Sequence, residues 1–171
     1  VMSEIYLGNP NLKKANTPIQ FSAEQIEEFL KCKNNPVYFA QKYVKIVSLD
    51  EGLVPFQPYK FQEKLIKRFH KNRFNICKMP RQTGKSTTVV SYLLHYAVFN
   101  DSVNIGILAN KAATARELLG RLQTAYENLP KWMQQGVLVW NRGSLELENG
   151  SKILAASTSA SAVRGMSFNI L

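Results

Sequence analysis

The sequence has few cysteines, few acidic residues and no long hydrophobic run. Its 171 residues include two cysteines, Cys32 and Cys77, too few for a disulfide framework or a zinc cluster and typical of a reducing compartment. No apolar run approaches the roughly 18 residues that a membrane-spanning helix needs. Hydrophobic residues make up 45% of the chain and charged residues 20%. Such a composition is typical of a globular protein with a buried core and argues against disorder.

Acidic residues are scarce relative to basic ones, and the imbalance is local. The chain has 22 lysines and arginines, 12 aspartates and glutamates and a net charge of +10. Residues 60–85 hold nine basic residues and a single acidic one, Glu63, which gives a net charge of +8. A clustered excess indicates a polyanionic partner more strongly than a diffuse one does. Taken alone, however, such a cluster is more typical of a solvated, lysine-rich helix face.

Turn and capping residues divide the first third of the chain. Residues 1–20 are polar and rich in turn residues, so we expect an N-terminal arm or a loosely docked segment. Ser22-Ala23-Glu24-Gln25 is a capping box that starts a helix, and Pro36 is placed to start a second one. Residues 21–56 therefore predict a helical lead-in. An amphipathic helix is expected next, over residues 59–70.

From residue 74 onward, short apolar runs alternate with helical patterns. Helices are expected after Gly84 and after Lys111. Strands are expected at Phe74–Met79, Val103–Ala109, Val137–Trp140, Ser144–Glu148, Lys152–Ala156 and, at its beginning, Phe168–Leu171. Asn149-Gly150 is a strong hairpin signal. This order predicts an α/β fold with a mainly parallel sheet flanked by helices, plus an antiparallel hairpin.

The most informative segment is Met79-Pro80-Arg81-Gln82-Thr83-Gly84-Lys85-Ser86-Thr87. A Gly-Lys-Ser turn between a strand and a helix can bind phosphates through backbone N–H groups, and the helix dipole adds to the attraction. In this interpretation Gly84 lets the backbone come close to the phosphates, Lys85 reaches the β- and γ-phosphates, and the Ser86 hydroxyl ligates Mg²⁺. The full phosphate-loop pattern has glycine where this chain has Met79. The tripeptide alone is thus an incomplete match. The predicted strand before it and the predicted helix after it are what favour nucleotide binding over a surface turn.

Three further side chains near this segment suit contact with a nucleotide. Arg81 could stabilise negative charge on a γ-phosphate in cis; a salt bridge to a carboxylate and a contact with a DNA phosphate are the alternatives. Gln57 and Gln62 carry amides whose donor and acceptor match the N6/N7 edge of adenine. A glutamine at a helix start is, however, more often simply solvated.

Together these motifs resemble the large terminase subunit of tailed bacteriophages, in particular that of the contractile-tailed myoviruses. The resemblance covers about Leu7 to Phe168 in similar order and spacing. The residues that carry it are Gln57 and Gln62, then MPRQTGKSTT, GILANKAATARELLGRL and LVWNRGSLELENGSKILAASTSASAVRGMSF. These terminases also lack the first glycine of the loop and have Arg-Gln before the Gly-Lys pair, so the modified loop makes the resemblance specific.

The resemblance implies an ATP-driven DNA-packaging motor whose ATPase domain is a P-loop NTPase of the additional-strand class. The implied cofactors are ATP and Mg²⁺. Lys85 and Arg81 are the implied catalytic residues, and Ser86 is the implied Mg²⁺ ligand. The implied nucleotide-binding residues are Gln57, Gln62, Gln82, Thr83, Gly84, Lys85, Ser86 and Thr87.

The resemblance also implies partners and a place of action. The implied partners are double-stranded viral DNA, the portal protein, the small terminase subunit and further copies of the chain in an assembled motor. The protein is expected in the host cytoplasm, at the procapsid portal during packaging, and not in the mature virion. No membrane partner is expected.

Set against this family, the chain is expected to contain three parts. They are an arm at 1–20, the helical lead-in at 21–56 and part of the P-loop ATPase core at 57–171. That core is expected to stop before the Walker B acidic pair, and the nuclease domain is expected to lie outside the chain. Because no carboxylate would then activate water, we expect ATPase activity in the full-length protein and very weak hydrolysis by this chain alone.

Two alternatives remain open at the level of sequence. A helicase-like DNA translocase shares the upstream glutamine, the phosphate loop and a following strand–helix unit. A non-catalytic, basic nucleic-acid-binding domain would use the positive segment from Lys60 to Lys78 and would need no nucleotide.

Overall fold

A hairpin opens the computed structural model, which describes the backbone of residues 4–171 and every side chain among them except that of Ala162. Strand β1 (Ile5–Tyr6) pairs antiparallel with β2 (Asn9–Lys13). Leu12 is buried in the core, and the backbone N–H of Lys13 donates to Oε1 of Gln134 at 3.1 Å. The expectation of a loosely docked segment is therefore wrong for this hairpin. It is packed on the core through contacts with residues far along the chain, which its own sequence does not reveal.

Two capped helices follow the hairpin, as the sequence predicts. Helix α1 (Ala23–Asn34) starts at the Ser22 capping box, and α2 (Pro36–Tyr43) starts with its proline. The side-chain oxygen of Asn35 accepts from the backbone N–H of Tyr38 at 3.0 Å, so the residue that ends α1 also caps α2.

A small hairpin and an amphipathic helix lead to the loop. Strands β3 (Lys45–Ser48) and β4 (Gly52–Pro55) form a two-stranded antiparallel sheet. Helix α3 (Lys60–Lys71) then buries Gln62 and Ile66 and exposes its lysines. Helix α4 (Lys85–Phe99) starts at the end of the loop and is buried over most of its length.

The main sheet has four strands in the order β5-β8-β7-β6. They are β5 (Asn104–Ala109), β6 (Val137–Trp140), β7 (Ser144–Leu147) and β8 (Lys152–Ser157). Only the β5–β8 pairing is parallel among these strands. The α/β class is confirmed, but the sheet is mixed rather than mainly parallel. The links between β6, β7 and β8 are too short for a parallel crossover.

Helix α5 (Ala112–Glu127) connects β5 to the rest of the sheet and packs against α4, β5 and β8. The predicted turn at Asn149-Gly150 is confirmed, with Gly150 at φ +84°. The Asn149 side chain donates to the carbonyls of Ala97 and Asn100, which ties the turn to the end of α4. In the part of the chain that the structure describes, no helix is both long and apolar enough to cross a membrane.

The predicted strand at Phe74–Met79 is wrong. These residues are extended but belong to no strand, and the side chains of Phe74 and Ile76 are 83% and 99% exposed. A strand needs a partner for its backbone groups, and none of the described strands pairs with this segment. In the predicted strand at Phe168–Leu171, Ile170 makes one parallel bridge to Ile105 of β5. The Ile170 carbonyl accepts a hydrogen bond from the N–H of Gly106 at 2.9 Å.

Candidate functional site

The loop of residues 79–84 joins the extended segment to the first residue of α4. Two of its residues have a left-handed backbone, Gln82 at φ +58° and Gly84 at φ +77°. A Cβ atom at Gly84 would also lie 2.5 Å from Nε2 of Gln62. Glycine is therefore required at position 84 both by its backbone conformation and by the side chain that packs on it.

Lys85 closes this loop from the start of α4. Its ammonium group donates to the carbonyl oxygen of Met79 at 2.7 Å and to that of Pro80 at 2.9 Å. The Thr83 hydroxyl donates to the same Pro80 carbonyl at 2.9 Å. The positive charge of Lys85 is thus held within the loop by neutral carbonyls, without a carboxylate.

The N-terminus of α4 keeps its backbone donors free. Gly84 provides no side-chain cap, and nothing in residues 4–171 accepts a hydrogen bond from the N–H of Gly84, Lys85, Ser86 or Thr87. Unpaired N–H groups at a helix start, together with the helix dipole, attract anions. Lys85 adds a full positive charge at the same place.

Gln62 lies against the loop, but both ends of its amide are engaged inside the protein. Its Oε1 accepts from the backbone N–H of Tyr59 at 2.8 Å, which caps α3, and its Nε2 donates to the Gly84 carbonyl at 3.2 Å. The side chain is buried. The structure thus joins α3 to the loop through Gln62, and contact of Gln62 with adenine stays a prediction.

The other predicted side chains are positioned differently. Gln57, Arg81 and Gln82 are exposed, and Thr83, Ser86 and Thr87 are half-buried. None of the ion pairs within residues 4–171 involves Arg81, so its salt-bridge alternative finds no support. The structure brings Gln62, Thr83, Gly84 and Lys85 together around one loop. It gives no contact that joins Gln57 to them.

The donor set of the loop is suited to a polyphosphate. It has the Lys85 ammonium and the free N–H groups, and the sequence from Lys64 to Asn100 contains no acidic residue that would repel phosphate. Across residues 4–171 no cluster of three or more His, Cys, Asp or Glu side chains is arranged to hold a metal ion. A divalent cation here would therefore depend on the Ser86 hydroxyl and on phosphate oxygens, both of which are hard ligands suited to Mg²⁺.

Thr88 is a supporting residue that the sequence reasoning did not single out. Its buried hydroxyl donates to the Gly84 carbonyl at 2.8 Å, beside the backbone N–H of the same residue at 3.1 Å. The Gly84 carbonyl thus accepts from Thr88 and from Gln62. The second threonine of the Ser-Thr-Thr run, one helical turn after Gly84, was the available signal.

Two titratable groups with shifted pKa values are structural. Hydrogen bonds from Lys42 and then Tyr38 lower the pKa of Glu28 to about 2, and Tyr43 also donates to this carboxylate. Burial lowers the pKa of His95 to about 4. Its neutral ring places Nε2 2.9 Å from the Cys32 carbonyl. These groups hold α1, α2 and α4 together.

Comparison with known proteins identifies the family to which the chain belongs. The family described as "Terminase large subunit, T4likevirus-type, N-terminal" matches residues 76–171, more than half of the chain. The chain belongs to this family. The terminase match begins three residues before Met79, so it includes the whole loop and the four-stranded sheet. The resemblance to large terminase subunits is confirmed.

A solved terminase structure shares the fold. The crystal structure of the HK97 bacteriophage large terminase matches with a TM-score of 0.65 and 18% identity over 80% of this chain. At that identity the likeness shows the α/β arrangement alone. The match spans 29% of the length of the HK97 chain.

Proposed function

We propose that this chain is the ATP-binding part of a viral DNA-packaging motor that couples ATP hydrolysis to the translocation of double-stranded DNA into a procapsid. The observation that carries the proposal is the loop at Met79–Thr87. It combines two left-handed residues, the free N–H groups of the α4 start and the Lys85 ammonium within a family of terminase large subunits. We assign the domain to the P-loop NTPases of the additional-strand class.

The residues of the loop would share the work of binding ATP. Lys85 exchanges the Met79 and Pro80 carbonyls for β- and γ-phosphate oxygens, and the N–H groups from Thr83 to Thr87 bind the remaining oxygens. Arg81, which is exposed beside the loop, stabilises negative charge on the γ-phosphate. Ser86 would hold Mg²⁺, which when bound neutralises charge on the phosphates.

Recognition of the base and activation of water involve other groups. Gln57 is the residue with a free amide for the adenine edge, while Gln62 acts on the site by supporting the loop at the Gly84 carbonyl. The loop and its flanks from Lys64 to Asn100 offer no carboxylate to activate water. A group outside these residues would have to activate water, and we expect full ATPase activity in the whole protein and very weak hydrolysis by this chain alone.

The partners follow from the same function. The motor acts on double-stranded viral DNA, assembles from several copies of the chain, and meets the portal protein and the small terminase subunit. It acts in the host cytoplasm at the procapsid portal during packaging. Because the chain belongs to the terminase family, no specific observation favours the helicase-like translocase.

Replacing the loop lysine tests the proposal. Lys85→Ala removes the ammonium that neutralises the phosphates, so ATP hydrolysis and DNA packaging by the whole protein should fall by at least about 100-fold. Steady-state ATPase and packaging assays measure this. Lys33→Ala, an exposed lysine in the last turn of α1, is the control and should retain activity. Near-wild-type turnover of Lys85→Ala would refute the assignment.

A further inference from the structure

Five cationic residues of α3 form a single stripe on the surface. At about 100° per residue, they fall within an arc of about 100° on one side of the helix, and all are exposed. They are Lys60, Lys64, Lys67, Arg68 and Lys71. We call this stripe the α3 basic face. Over 11 helical steps it extends about 16 Å.

The α3 basic face has no acidic partner within the described residues. The ion pairs there are formed by Lys13, Lys42, Arg121 and Lys152. Glu63, the acidic residue of α3, accepts a hydrogen bond from Gln41 instead. The exposed residues Arg73 and Lys78 continue the positive surface beyond the helix. Five uncompensated cations on one short helix repel one another, so a polyanion is the partner that relieves the repulsion.

The opposite side of α3 touches the phosphate loop. Gln62 lies about 170° around the helix from the middle of the α3 basic face, and its Nε2 donates to the Gly84 carbonyl. A rigid helix thus carries the basic face on one side and a loop contact on the other. A ligand bound to the loop and a polyanion bound to the face would both bias the position of α3.

We propose that the α3 basic face binds the phosphate backbone of double-stranded DNA. This inference rests on the proposed function for the choice of DNA as the polyanion. Exposed aromatic side chains lie beside the arc, at Tyr59, Phe61 and Phe74, but not within it. Since single-strand binding surfaces combine cations with aromatic groups, a single strand is the competing ligand in the test. Duplex DNA carries one negative charge per about 1.7 Å of its axis, so a 16 Å stripe meets enough phosphates for all five cations.

The test measures the affinity of the 171-residue chain for a labelled 20-base-pair duplex across a range of salt concentrations. The variant K64Q/K67Q/K71Q removes three charges from exposed positions with little change in helix propensity. We expect the slope of log affinity against log salt to lose about two to three units and the affinity at low salt to fall about 10- to 100-fold. Circular dichroism checks that the variant is folded.

A control variant with the same change in net charge shows whether DNA binding depends on the α3 basic face or only on the total charge of the chain. K33Q/K45Q/R142Q neutralises three exposed cations outside α3 that are in no ion pair of the described residues, and it should bind DNA with a slope near that of the wild type. Equal losses in both variants, or no duplex binding by the wild type, would overturn the proposal. Tighter binding of a single strand of equal length would overturn the duplex assignment.

The same preparations distinguish this proposal from the proposed function. The α3 variant should still bind ATP, because none of its three substitutions is in the loop. If Lys85→Ala binds ATP normally while K64Q/K67Q/K71Q loses DNA, the nucleotide assignment fails and the DNA face stands. The reverse pattern overturns the face and leaves the nucleotide site intact.

Discussion

Gly84 is the residue on which the geometry of the loop most depends. It has a left-handed backbone, and a Cβ atom there would lie 2.5 Å from Nε2 of Gln62. Gly84→Ala should lower the free energy of unfolding by about 2 kcal/mol, since a left-handed conformation costs an L-residue about 1–2 kcal/mol and the new methyl group displaces Gln62. Urea denaturation followed by circular dichroism measures the change.

Gly120 provides the matched control for that substitution. It lies inside α5, and a Cβ atom there would meet nothing within 4 Å. Gly120→Ala should therefore raise the free energy of unfolding by up to about 1 kcal/mol, because alanine has the higher helix propensity and this half-buried position has room for a methyl group. Equal destabilisation by the two substitutions would contradict the account of the loop.

At the scale of elements, the contact between α3 and the loop gives Gln62 a different expected role from Gln57. Gln62→Ala removes the support of the Gly84 carbonyl, so the affinities for ATP and GTP should fall by the same factor, about fivefold for one hydrogen bond. Gln57→Ala should instead reduce the preference for ATP over GTP. Titrations with both nucleotides measure this. Loss of ATP affinity alone in Gln62→Ala would show a direct adenine contact.

Elements whose signals are local could be predicted from the sequence. Ser22 and Pro36 mark the starts of α1 and α2, and the Gly-Lys pair marks the start of α4, because caps and loops act through neighbouring residues. The run at Phe74–Met79 has strand composition but no strand. Its residues have a high β-strand propensity, but a strand also needs a pairing partner elsewhere in the chain.

At the scale of the whole molecule, contacts between distant residues were beyond the sequence. The N-terminal hairpin is held by Gln134 and by Glu148, whose carboxylate accepts from Asn16 at 2.7 Å and Gly136 at 2.9 Å. The mixed strand order likewise depends on the β5–β8 pairing across nearly 50 residues. The residues of the candidate site could be named from the sequence because most of them lie in one short segment, and their role in nucleotide binding stays a prediction. The engagement of Gln62 by Tyr59 and Gly84 required the structure.

The central claim is that the loop at Met79–Thr87 binds ATP. The most direct test is a ¹H–¹⁵N NMR titration of the 171-residue chain with ATP and Mg²⁺, which observes the free N–H groups themselves. The largest shifts are predicted for the amides of Gly84, Lys85, Ser86 and Thr87, and they should be lost in Lys85→Ala. Absence of shifts at these four amides with millimolar nucleotide, in a folded wild-type chain, would contradict the account.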